Sequence, residues 1–157
     1  MRGLLRGLPH VDFGVEHDGN DQEKAEKMWP VLRQICEGMV EHKIADYVLE
    51  GVILLPKHVR ELEADFPEIF RGCFLGYSTI DLSQLIARIR SDQSGDNWLR
   101  NFSEKDITNI FERGVQESVS LQRQCDEMNV RFFDVAHEFD GTLLTAKEYL
   151  IGSKNLR

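Results

Sequence analysis

The chain has 157 residues, 41% of them hydrophobic and 29% charged, with a net charge of −8, enough for one globular domain with a real core. No apolar run approaches the ~20 residues that span a bilayer, and the opening stretch from Met1 to Pro9 is too short and broken for a signal peptide; the expected protein is cytoplasmic, with no membrane partner. The negative charge opposes a phosphate backbone, so no nucleic-acid partner is expected either.

In chain order, residues 1–19 carry Gly3, Gly7, Pro9, Gly14 and Gly19 among scattered apolar residues and predict irregular structure. From Asn20 to about Ile44 the spacing of Ala25, Met28, Trp29, Leu32, Ile35, Cys36, Met39 and Val40 predicts an amphipathic helix. Pro30 inside it is expected to kink it or to split off its first turns. Tyr47 to Pro56, with Val48, Leu49, Val52, Ile53, Leu54 and Leu55 nearly continuous, reads as a parallel strand covered on both faces. A carboxylate in such a run is costly unless it faces a cleft at the strand's end or meets a cation, which singles out Glu50. Pro56 opens a short helix to Ala64, ended by Pro67. Phe70–Tyr77 reads as a second parallel strand, and Ser78–Asp81 opens a helix with Leu82, Leu85, Ile86 and Ile89 inward.

Residues 91–102 are polar and contain Gly95, a candidate lid loop in which Trp98 either clamps a ring or pins the loop to the body. Ser103 with Asp106 resembles a capping box, although Asp replaces the usual Glu or Gln, and starts a long helix. Val130–Val135 is a third strand whose Asp134 reads as a capping residue, and Thr142 is expected to cap a last helix over 143–150. Cys36, Cys73 and Cys125 are odd in number, lack C-x-x-C spacing and read as buried hydrophobes; the five histidines show no ligand spacing, so no metal site is predicted from these residue types. Strands alternating with helices predict an α/β fold, a single three-layer sandwich over 1–157 with a parallel sheet flanked by helices.

Two segments carry a family resemblance. Val48-Leu49-Glu50-Gly51-Val52 with the following Leu54 and Pro56 resembles the V-L-E-G-V-x-L-x-P segment of P-loop small-molecule kinases of the 2-phosphoglycerate kinase and zeta-toxin branch. Asp81 to Arg90 resembles the arginine-bearing helix that leads into the lid of adenylate-kinase-like enzymes. The phosphate-binding G-x-x-x-x-G-K-[ST] of that superfamily does not occur in the sequence. The resemblance implies a kinase-like domain incomplete at its N-terminus, with Met1 an internal methionine of a longer parent. It also implies ATP and Mg²⁺ as cofactors and a small-molecule substrate, with weak or no activity in the chain as it stands. Glu50 is the expected catalytic carboxylate, orienting a substrate hydroxyl or holding Mg²⁺ through water, against a purely structural role bonded to amides or an arginine. Arg88, Arg90 and Arg100 are the expected phosphate-binding residues, since a guanidinium fork suits phosphate oxygens. Arg88 and Arg90, two apart on a helix, do not share one face. The rival expectation is a non-enzymatic protein that forms a homo-oligomer through an exposed sheet edge.

Overall fold

The structure, a computed structural model, describes residues 20–42, 47–91 and 99–152. The expectations for residues 1–19 and for Trp98 lie outside these. Among the described residues the protein is mixed α/β, mainly helical, with a small parallel sheet. The order is α1 (Asp21–Glu41), α2 (Pro56–Asp65), β1 (Cys73–Gly76), α3 (Leu82–Ser91), α4 (Glu104–Met128), β2 (Arg131–Asp134) and α5 (Phe139–Ile151). The chain divides into two compact units, Met1–Phe70 and Arg71–Arg157.

In the first unit, Asn20 caps α1 by accepting the Gln22 amide at 2.8 Å. The helix runs unbroken through Pro30, so the expectation that proline detaches the first turns is corrected. Ala25 and Met28 before it and Cys36 after it are all buried, and that shared apolar face outweighs one lost amide donor. Pro56 opens α2 as expected, with Pro56, His58, Val59 and Leu62 inward. The two helices are joined at Arg33, whose guanidinium meets Glu37 on its own helix and both Glu61 and Asp65 of α2. The Trp29 indole N–H also donates to Glu61, at 3.1 Å.

The strand expected over 47–56 is not formed. Residues 47–55 are irregular, exposed over 47–52 with Val48 81% and Val52 84% exposed, and half-buried over 53–55. An apolar run becomes a strand only where a neighbour completes its hydrogen-bond ladder, and the sheet among the described residues pairs β1 with β2 alone. The expected βαβ unit around α2 is therefore absent from them.

In the second unit β1 and β2 pair in parallel, Cys73 opposite Arg131 through Gly76 opposite Asp134, so two of the three expected strands form, each shorter than its apolar run. Helices stand on both faces. Gly76 lies against the Phe132 ring and Ser118 of α4, where an added Cβ would come within 2.7 Å of that ring. On the other face Phe133 meets Tyr149 of α5 edge-on, at 5.8 Å between centroids. Gly114 within α4 gives way to the Tyr77 hydroxyl. Ser103 caps α4 through the Asp106 amide at 3.1 Å, and its own hydroxyl donates to the Asp106 carboxylate at 2.6 Å, the shorter side chain bonding the cap hydroxyl where a Glu would reach its backbone N–H. Asn129 ends α4 in the left-handed region at φ 54°. The last helix begins at Phe139 and its first bond runs from the Thr142 amide to the Glu138 carbonyl, which places Thr142 inside the helix and corrects its expected role as a cap.

Leu62 is 1% exposed at the centre of the first unit. Leu62→Ala should cost about 2–5 kcal/mol of unfolding free energy and Leu62→Met less than about 1.5. Urea denaturation checks both; equal small losses would show that the site is not closely packed.

Candidate functional site

Ligands in open parallel sheets bind beyond the carboxyl ends of the strands, and in the second unit those ends are tied together by Asp134. One of its carboxylate oxygens accepts the Ser78 hydroxyl at 2.6 Å, the Thr79 amide at 3.1 Å and the Thr79 hydroxyl at 2.9 Å. The other accepts the Ala136 amide at 2.8 Å, and the Val135 amide donates to the Gly76 carbonyl at 2.8 Å. The ladder register sets Gly76 opposite Asp134, so residues 77–79 leaving β1 fall within reach of a side chain ending β2.

The proton inventory fixes the surroundings. A hydroxyl has one proton to give, and charged acceptors bind it more strongly than neutral ones, so Ser78 and Thr79 both give theirs to Asp134. The side-chain oxygen of Gln122 of α4, 2.7 Å from the Ser78 oxygen, is the weaker, neutral rival for the Ser78 proton. His137, whose Nε2 is 3.2 Å from the Thr79 hydroxyl oxygen, donates from that nitrogen. Burial raises the Asp134 carboxyl, but the bonds from Ser78, Ala136 and Thr79 together outweigh it and leave the group below its ordinary range.

Arg88 of α3 reaches the same corner, donating to the Ala136 carbonyl at 3.2 Å. Arg90 turns elsewhere, to the carbonyls of Arg100 at 3.5 Å and Phe102 at 2.9 Å, as expected of residues two apart on a helix. The Arg100 side chain is exposed in the turn before α4. Of the two expected arginines on α3, Arg88 is bonded at the strand ends and Arg90 is not. Glu50 lies in the outward, irregular segment of the first unit and ends no strand.

Asp134 also borders an open depression of about 510 Å³ between β2 and the first turns of α5. Three of its four donors share one oxygen, while the other accepts the Ala136 amide alone and keeps a lone pair. Among the described residues no group of three or more His, Cys, Asp or Glu side chains is placed to hold a metal ion. By this inventory the hydroxyl protons and the His137 Nε2–H are used within the corner, and the donors left for an anionic oxygen are those of the Arg88 guanidinium beyond its bond to Ala136. Sequence reasoning placed Tyr77 and Asp134 at strand ends but missed Ser78, Thr79, Gln122 and His137. The usable signal was a Ser-Thr pair just past one expected strand and an Asp closing the next.

Comparison with protein-family models, with curated proteins and with solved structures found no match to this chain. Among the described residues no helix is long and apolar enough to cross a membrane.

Asp134→Asn keeps an acceptor for Ala136 but turns an NH₂ toward three donors, and should cost about 1–3 kcal/mol. The wild-type carboxyl titrates lower folded than unfolded, so its contribution is complete above the ordinary value of 3.8 and fades as pH falls below it. Urea midpoints measured at pH 7 and at successively lower pH should converge for the two proteins in acid; a constant gap would refute the tie.

Proposed function

We propose that this chain is a kinase-like α/β domain of the P-loop superfamily, a three-layer sandwich related to ATP-dependent phosphotransferases of small metabolites or nucleotides. The observation that carries the reading is the Arg88 guanidinium anchored on the Ala136 carbonyl just past the carboxyl end of β2, one of two parallel strands. Arg88 uses one of its five donors on the Ala136 carbonyl, and those remaining suit phosphate oxygens. Phosphoryl transfer depends on positioning and charge stabilisation, most of which a phosphate loop and its lysine provide. The 157 residues contain no such loop, so ATP with Mg²⁺ is bound weakly and turned over poorly. Arg88 is the phosphate contact in this reading. Glu50 no longer has a strand beneath it to aim it, and Arg90 serves the turn at Arg100 and Phe102. A cytoplasmic location accords with the reading.

A second reading, an interaction protein that pairs copies through a sheet edge, is favoured by Leu75, which is 46% exposed on a two-stranded sheet. The readings part on ligand and on mass.

Titration of the ¹⁵N-labelled chain with Mg-ATP should shift the amides of residues 77–79 and 136–137, with millimolar affinity. Arg88→Ala should weaken it by roughly 10–100-fold, the value of a charge-assisted hydrogen bond. No amide shift at saturating nucleotide would overturn the kinase reading, and a strict monomer in sedimentation would overturn the second.

A further inference from the structure

His58 is the buried histidine among the described residues, 1% exposed, and the site at the strand ends makes no use of it. Its ring lies flat on Trp29 of α1, 4.3 Å between centroids with 4° between planes. It stands at the third position of α2, where a Glu or Gln ordinarily reaches back to the cap amide. Here the ring does so: the Leu55 N–H donates to His58 Nδ1 at 3.3 Å. An accepting Nδ1 carries no proton, so the neutral ring carries its proton on Nε2. That nitrogen is buried with no hydrogen-bond partner among the described residues. One Glu26 carboxylate oxygen of α1 lies 3.7 Å away, beyond hydrogen-bond range, while the other oxygen of that carboxylate pairs with Lys57 at 2.5 Å.

From this geometry we propose that His58 is a proton-operated latch on the start of α2, holding Leu55 and the apolar segment before it while neutral and releasing them when charged. A single proton, taken up at Nδ1 from solvent, converts the acceptor of the Leu55 amide into a donor, and the two N–H groups then repel. The same charge gives Nε2–H an ion-pair partner in Glu26, whose facing oxygen is not the one that Lys57 holds. The cap and the ion pair are alternatives, each satisfying one ring nitrogen.

The charged groups around the ring are Glu26 from α1, and Lys57 and Glu61 on α2, with Glu61 itself held by Arg33 and Trp29. Burial is the largest influence and lowers the titration of His58; Glu26 opposes it, Lys57 adds to it and Glu61 opposes it, with the net direction downward from 6.5. A histidine with a lowered folded value stabilises the fold fully above the unfolded value and loses that contribution as pH falls through the folded one. The latch therefore opens on the acid side of 6.5. Opening loosens Leu55, at the foot of a segment whose Val48 and Val52 already face outward.

The test is NMR of the ¹⁵N-labelled full chain from pH 8 downward. At neutral pH the ring shifts should report the Nε2–H form. The Leu55 amide should then move with the same midpoint as the His58 ring, below 6.5. Between that midpoint and 6.5, local opening at Leu55, read by hydrogen exchange corrected for intrinsic rate, should grow about tenfold per pH unit, as uptake of one proton requires. His58→Gln can cap without titrating and should keep Leu55 protected across the range. An Nδ1–H ring at neutral pH, a Leu55 amide indifferent to the His58 titration, or a Gln variant with the wild-type pH dependence would overturn the proposal. The ring tautomer is measured on the wild type and decides even if the variant does not fold.

Discussion

The carboxyl-terminal unit depends on one carboxylate. Strands of four residues paired in parallel are too short to hold register by ladder bonds alone, and β1 and β2 are that short. Asp134 supplies what the ladder lacks, since its bonds to Ser78 and Thr79 cross from the end of one strand to the chain leaving the other. Gly76 makes the tie possible by letting the Phe132 ring and Ser118 close on the backbone from the α4 side. Once the two strand ends are fixed, the positions of Thr79, His137 and the Ala136 carbonyl follow, and with the last of these the anchoring of Arg88.

Internal bonding separates the structural groups here from the chemical ones. Asp134 is the acidic group at the centre, yet four donors from its own chain converge on it and favour its charged form, which makes it a poor base. Arg88 is the converse: it gives up one donor for its anchorage and keeps a charged, planar face for something else. Arg90, two residues along the same helix, shows how little a sequence motif rich in arginine says by itself, because its guanidinium is used to close a turn on Arg100 and Phe102.

What the sequence made legible follows the range of the interaction. Helices α1, α2 and α4 could be read because their signals are local: apolar periodicity, Asn20 and Ser103 at the caps, Pro56 at a first turn. β1 and β2 could be read as strands, and Asp134 as a capping residue, for the same reason. The 47–55 run could not be placed, since an unbroken apolar stretch states a need for cover without naming the partner that provides it. The start of α5 was missed because no side chain caps it, which left Thr142 as the more visible cue. The strand-end cluster joins residues 55 and 58 positions apart, and only the register of β1 on β2 determines that they meet. Arg33 is similar: its bond to Glu37 is an ordinary helical spacing, whereas its bonds to Glu61 and Asp65 need the packing of α1 on α2.

The two units handle buried polarity in opposite ways. At Asp134 four donors from the same chain share one charged acceptor, a condition that favours one arrangement because any alternative leaves a donor unpaired. At His58 the ring satisfies Nδ1 through Leu55 while Nε2 goes without, and an unsatisfied buried donor lies higher in free energy than a paired one. The neutral ring stays in place because the stack on Trp29 and the packing of α2 hold it there. A group held against its own hydrogen-bonding preference, with Glu26 3.7 Å away, has a second arrangement close in energy to the first. One proton suffices to reverse their order, whereas at Asp134 all four donors favour the same charged carboxylate.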